Sequence, residues 1–473
     1  MAPVIMAGVF LVWNTLVSRV EAEMSGANCS RGGNFPLKIL IFSLSLLFSS
    51  CMTMADYNYS RIDSNLAAGK YADVAAELTE KKTTIYGMHD EVLTFLDAGL
   101  VAHYDNRIAD SNANLGQAET LMEKYGAKSV SQSILSMVTN DLVQDYAGED
   151  FENIYANVFM ALNYLRLGEQ DEAMVEIRRF DNKLKTLRSK YEGQIHDFEM
   201  ANEDAKVKKV SIQFHDSALA RYLSMILYRA DGDADNAAVD YKYLKSAFDT
   251  QKDLYNFDIP MTAAEEAGIG KSKARLNVLA FSGLSPIKKE KAVRAYSWEG
   301  TVWYKLALPV MERRSSSVSS VLVTATDKAS GERFTQKLEL LESLENICED
   351  TFQQKYSILY ARALARSIAK TAANTTMHVL SNKGQKEKNM NEAIIFSLLD
   401  FATKITNEVT ERADVRTCRY FPARASVAGI TLPPGEYTVS VQFLNGRKIV
   451  HTETKEMSVR AGKLNFFEAT CLK

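Results

Sequence analysis

The chain is short of proline and cysteine and nearly balanced in charge, and each shortage removes a class of protein. Eight prolines in 473 residues leave long stretches with no ring to break an i→i−4 hydrogen bond, which favours long helices over a loop-rich fold. Five cysteines, Cys29, Cys51, Cys348, Cys418 and Cys471, include no Cys-x-x-Cys pair, so a cysteine zinc site is not expected. A net charge of −3, from 56 Lys+Arg against 59 Asp+Glu, is no electrostatic footprint for nucleic acid. The histidines, His89, His103, His196, His215, His378 and His451, make no HxH or HExxH pair and read as scattered surface or half-buried side chains.

Catalytic motifs are missing too. There is no Gly-x-Ser-x-Gly elbow. Gly270-Lys271-Ser272 lacks the glycine a phosphate loop needs five residues before Gly270, where Glu265 stands. Gly268 and Gly270 read as part of a linker, and the adjacent Glu265-Glu266 does not rise above chance as an acid–base pair. No cofactor and no enzymatic activity are expected. What is present is ample core material, 46% hydrophobic and 24% charged residues, too apolar for a disordered chain and long enough for two or three domains at about 150 residues each.

Two apolar stretches open the chain, Met6 to Val17 and Ile39 to Phe48. The second is preceded by Arg31 and Lys38 and followed by Ser49-Ser50-Cys51. A basic segment, an apolar run of about ten residues and small residues at the end read as a secretory signal peptide, too short for a transmembrane helix of about 20. Leu47 to Cys51 resembles the lipobox of bacterial lipoproteins, with Phe48 departing from the usual Leu. That resemblance implies lipidation of Cys51, with residues 1–50 as leader and 51–56 as a tether; residues 1–23 then read as an over-extended start before Met24 or a later site, with a genuine first hydrophobic helix as the alternative. Acyl chains would anchor it at about 0.8 kcal/mol per buried CH₂. Met52, not Asp, follows the cysteine and implies the outer membrane. With Cys29 and Cys51 so assigned, three cysteines remain. Buried thiols are expected, with a Cys418–Cys471 bridge as the alternative.

From 57 to 256 apolar residues recur at helical spacing. Helix pairs are punctuated by Gly69, Gly168 and Gly232, each followed five residues later by Val74, Ala173 or Ala237. A weaker fourth pair lies between His103 and Met122, with Asp105-Asn106 in place of the glycine. Glycine supplies a left-handed helix end, and a small residue lets the second helix close on the first. This resembles tetratricopeptide repeats, without their Trp and terminal Pro and at irregular spacing. The charged stretch Lys183 to Lys209 reads as an inserted hairpin around Gly193. Stacked repeats imply a groove, which Tyr155, Tyr164, Tyr222, Tyr228, Tyr241 and Tyr243 would line unless they serve inter-helix packing. Arg178, Arg179 and Arg221 would meet a carboxylate unless they are solvated.

The texture changes at 257–275, read as a linker, and 276–473 reads as an α+β domain. Strands are expected at Asn277–Phe281, Thr301–Leu306, Ser319–Thr326 and Arg333–Leu338, and helices at Leu341–Leu380 and Asn391–Val409. A hairpin is expected around a type I′ Asn445-Gly446 turn, with strands from Leu432 to Phe443 and Lys448 to Thr454, then a last strand from Lys463 to Glu468. The fold class is thus α+β multidomain, a TPR-like α-solenoid followed by a mixed domain with long helices and a small β-sandwich-like sheet. Pro433 to Val439 is similar to small β-sandwich modules. Gly283 to Glu290, Ala307 to Pro309, Arg362 to Lys370 and Asp414 to Pro422, in this order after a helical half, resemble an uncharacterised family of bacterial lipoproteins. Cys418 and Phe421 depart from its Trp and Leu. Some members are associated with lipoproteins that activate peptidoglycan synthases. Asp414, Arg416 and Arg419 read either as a polar patch for a glycan or a partner's tail, or as ion pairs pinning helix to sheet. The expected function is a membrane-anchored scaffold or adaptor for a protein partner in envelope or peptidoglycan assembly, facing the periplasm. A glycan-binding lipoprotein is the alternative.

Overall fold

The structure, a computed structural model, describes residues 57–131, 144–201, 213–266, 268–270, 272–296, 303–353, 355 and 413–473. The expected leader, Cys51, most of the expected helix from Leu341 and the whole of Asn391–Val409 lie outside the described residues. Residues 52–473 form one compact unit that mixes helices with antiparallel and mixed sheets.

The helices are α1 Ser60–Ala67, α2 Tyr71–Glu80, α3 Lys82–Ile85, α4 Glu91–Tyr104, α5 Ile108–Ser131, α6 Asp150–Leu167, α7 Gln170–Ala201, α8 Ala218–Asp231, α9 Ala234–Thr250 and α10 Met261–Glu266. Four turns join α1 to α2, α4 to α5, α6 to α7 and α8 to α9, and all four use one device. Gly69, Asn106, Gly168 and Gly232 each take a positive φ, between 57° and 80°. In each, the turn residue's N–H bonds three residues back and the next N–H five back, as in Gly168 N to Leu165 O and Glu169 N to Tyr164 O. This is the Schellman closure of helix carbonyls. The residues five positions on, Val74, Ala173 and Ala237, are buried. The charged stretch from Lys183 is no hairpin as far as it is described: α7 runs unbroken through Gly193 to Ala201. A helix interior tolerates glycine at about 1 kcal/mol.

Among the described residues the strands form two four-stranded sheets and a ribbon. The first sheet has the order β10-β1-β7-β6, with β1 Ala274–Ser282, β6 Glu339–Ser343, β7 Arg424–Leu432 and β10 Asn465–Cys471. Strand β10 lies parallel to β1, and β7 antiparallel to it. The second has the order β5-β4-β8-β9, with β4 Ser320–Asp327, β5 Arg333–Lys337, β8 Gly435–Asn445 and β9 Lys448–Val459. The ribbon pairs β2 Ile287–Tyr296 with β3 Trp303–Glu312.

Strand periodicity sorts the first sheet's two faces. Leu279, Phe281, Ala425 and Val427 join one core with the helices. Leu276, Val278, Ala280, Ala428 and Ile430 join another with Val321, Val323, Val439 and Val441 of the second sheet. The layers are therefore helices, mixed sheet and antiparallel sheet, and β1 is buried along its whole length. The stretch expected as a linker carries α10, whose Thr262 hydroxyl accepts from Gly429 N at 3.0 Å.

Three strands escaped the sequence pattern. β2 is lysine-rich, β7 lacks alternation because both faces are covered, and β6 occupies residues expected to start a helix, which begins at 344. The β8–β9 turn also differs. Asn445 pairs with Lys448, so Gly446-Arg447 form the loop, and of the two only Gly446 has positive φ. That is the II′ pattern, with glycine first, instead of I′.

Candidate functional site

The helix faces that a repeat groove would offer are covered by the chain's own first sheet. Tyr155 on α6 is fully buried and donates to Glu342 of β6 at 2.5 Å. Glu342 also accepts from Tyr255 (2.7 Å), Ser217 Oγ (2.8 Å) and the Leu219 N–H (3.1 Å), so it satisfies one of the open amides at the start of α8, while Tyr255 and Ser217 take those of Ala218 and Ala220. Burial raises the Glu342 carboxyl, and the hydrogen bonds from Tyr155 and Tyr255 oppose that rise. Tyr222 on α8 is likewise buried and accepts from Asn277 of β1 at 3.0 Å.

A second buried cluster joins α4, α6 and β10. His103 is fully buried, unlike the surface or half-buried histidine expected. Its Nδ1 lies 2.7 Å from Asn163 Oδ1 and its Nε2 2.7 Å from Glu468 Oε1. The Asn163 amide donates to Ser111 Oγ and Asn112 Oδ1, which turns its oxygen toward the ring. Burial alone would raise the Glu468 carboxyl, but the Arg166 guanidinium, then His103, hold it down to about 2. The adjacent Glu265 and Glu266 are engaged by Arg275 (2.7 and 2.8 Å).

Asp414, Arg416 and Arg419 also turn inward. Arg416 is 4% exposed and bonds Asp414 (2.9 Å) and Asp90 (3.2 Å) while lying 5.2 Å from the Tyr146 ring. Burial would raise Asp414, but the Arg416 charge overcomes it and holds the carboxyl well below the usual range. Arg419 reaches Asp63 of α1 at 3.1 Å. The geometry matches ion pairs that pin the 413–421 segment to the helices. The three described cysteines, Cys348, Cys418 and Cys471, are buried free thiols with no Cys418–Cys471 bridge.

A group of partly exposed side chains stands on α7, α8 and α9. Arg221 of α8 bonds Asp181 of α7 (2.8 Å) and Asp216 (2.9 Å), and lies 3.4 Å from Asp240 of α9. Its guanidinium sits 4.8 Å from the ring centroid of Tyr243, which is 50% exposed. Val175 on α7 and Val239 on α9, one turn before Tyr243, are also exposed, at 44% and 43%. Arg178 and Arg179 are exposed on α7, and Tyr164, Tyr228 and Tyr241 are half-buried. Of the sequence candidates, the fold therefore brings Arg221 to Tyr243, withdraws Tyr155 and Tyr222 into the core, and leaves Arg178 on the outside.

The chain matches no family model, no curated protein and no solved structure. Among the described residues, no group of three or more His, Cys, Asp or Glu side chains is placed to hold a metal ion, and no helix is long and apolar enough to cross a membrane.

Proposed function

We propose that this protein is a lipoprotein tethered through Cys51 to the outer membrane, facing the periplasm. Its body is a scaffold for a protein partner in envelope or peptidoglycan assembly. The resemblance of its lipobox and motifs to bacterial lipoproteins supports the tether. The four hairpins with one turn chemistry support a TPR-like ancestry for the helical half. The observation that carries the binding role is the exposed Tyr243 beside Arg221, flanked by Val239. An aromatic under a guanidinium, with apolar neighbours, is the composition of a contact surface. Since the inner helix faces are covered by sheet, docking falls to the outer face of α7, α8 and α9. Across the outward row of the second sheet the glycan alternative finds no aromatic among the described residues. The outward row across the second sheet is Thr335, Thr324, Ser440 and Thr454.

The test places a photo-crosslinking residue at position 243 and, as a control, at position 324, in the native chain and in Cys51→Ala. The proposal expects discrete protein adducts from 243 and none from 324, with Cys51→Ala released from the membrane. Equal or absent adducts at both positions sink the docking face. Retention of Cys51→Ala in the membrane sinks the lipid anchor.

A further inference from the structure

Four separated segments converge where Arg314, after β3, reaches the 413–421 segment. Its Nε donates to Ser285 O (2.8 Å) and its Nη2 to Arg419 O (2.5 Å). The Ser285 N–H donates to Phe421 O at 2.8 Å, and the Arg419 guanidinium lies 4.0 Å from the Tyr59 ring centroid. Two features of this junction are unbalanced. The first is charge. Arg419 has Asp63, but the contacts of Arg314 are backbone carbonyls alone. Burial, then the neighbouring Arg419 cation, push Arg314 down to about 10. The second is hydrogen bonding. Arg314 Nη1, Arg419 Nε and Ser285 Oγ are sealed from solvent and have no partner among the described residues, and the hydroxyls of Tyr59 and Tyr420 are in the same state.

Buried donors are rarely left open, and ordered water is the usual remedy. Water accounts for the tyrosine side, where Asp97 Oδ1 is a partnerless acceptor whose charge acts on both hydroxyls. It does not account for the guanidinium side. A water molecule offers two lone pairs to three donors and leaves the excess positive charge untouched. A small oxyanion answers both, since each oxygen accepts and the net charge offsets Arg314. We infer that Arg314, Arg419 and Ser285 form a binding site for a small tetrahedral oxyanion of the phosphate or sulfate class.

The experiment is thermal unfolding of the full chain titrated with inorganic phosphate or sulfate, against sodium chloride at matched ionic strength. A ligand bound only by the folded state raises Tm saturably. The expected result is such a rise with phosphate or sulfate and not with chloride. In Ser285→Ala, which removes one hydrogen bond to a charged ligand, half-saturation should move about tenfold higher. In Arg314→Met the response should vanish, while stability in anion-free buffer stays level or rises, because an uncompensated buried cation is gone. If Arg314→Met does not fold, Ser285→Ala decides the matter. A Tm that follows ionic strength alone, or identical titrations for Ser285→Ala and the native chain, overturns the site and leaves water as its occupant.

Discussion

Asp97 shows how burial sets a single residue's behaviour. It lies on α4 with no exposed surface and accepts from the Tyr86 hydroxyl at 2.8 Å. Burial pushes its carboxyl up to about 7 against an ordinary value of 3.8. Between those values the folded chain holds a proton that the unfolded chain has lost. The stabilisation is complete below the unfolded value and disappears as pH rises through about 7. Asp97→Asn should remove that pH dependence. Urea unfolding at pH 5 and pH 8 should give a gap between the two pH values that is smaller in the variant, by about 3 kcal/mol at most. An unchanged gap would place the proton elsewhere. The sequence marked Tyr155, Tyr222 and Arg416 as notable at helical or motif spacing. It gave no sign that their partners would be Glu342, Asn277 and Asp90, far away along the chain. His103 was read as a surface or half-buried side chain because nothing local distinguishes a histidine that meets Glu468 365 residues later.

At the scale of elements, the turns were legible and several strands were not. Gly69, Gly168, Gly232 and even Asn106 could be read because a left-handed helix end demands those residue types locally. Strand β7 could not, since it is covered on both faces and a covered strand shows no alternation, and β6 could not, since its last three residues read as the start of the helix that follows. The α4–α5 pair offers a test of close packing. A methyl placed on Gly99 would lie 2.8 Å from Leu115 Cγ and 3.1 Å from the Leu115 backbone nitrogen. Replacing helical glycine by alanine normally stabilises by about 1 kcal/mol. Here a backbone atom stands in the way and cannot rotate aside, so overpacking at about 1–3 kcal/mol should win. Gly99→Ala is expected to lower Tm, and a rise would mean that α4 and α5 can separate at no cost.

For the molecule as a whole, the deciding fact is that one core runs from Ile62 through Tyr155 and Leu223 to Phe281 and Val427. Helices and first sheet share their apolar surface, and polar seams at Glu342 and Glu468 cross the same boundary. Units that share a core unfold together. Hydrogen exchange under native conditions should therefore show α6 and β1 amides opening with one free energy, and a fragment ending at residue 256 should fail to fold. Separate opening energies, or a folded fragment, would show that the helical half is self-sufficient.

The sequence by itself determined most helices of the first half (but not the length of α7), their four turns, the place of the last hairpin (but not its turn type) and the mix of helix with sheet. These follow from backbone preferences and periodicities that act over a few residues. Only the tertiary structure decided what the helices pack against. Apolar stripes show that a face is buried and not what buries it, and here the chain's own sheet takes the groove. It also decided that the charged residues of 413–421 face inward, since a side chain's partner depends on contacts hundreds of residues away.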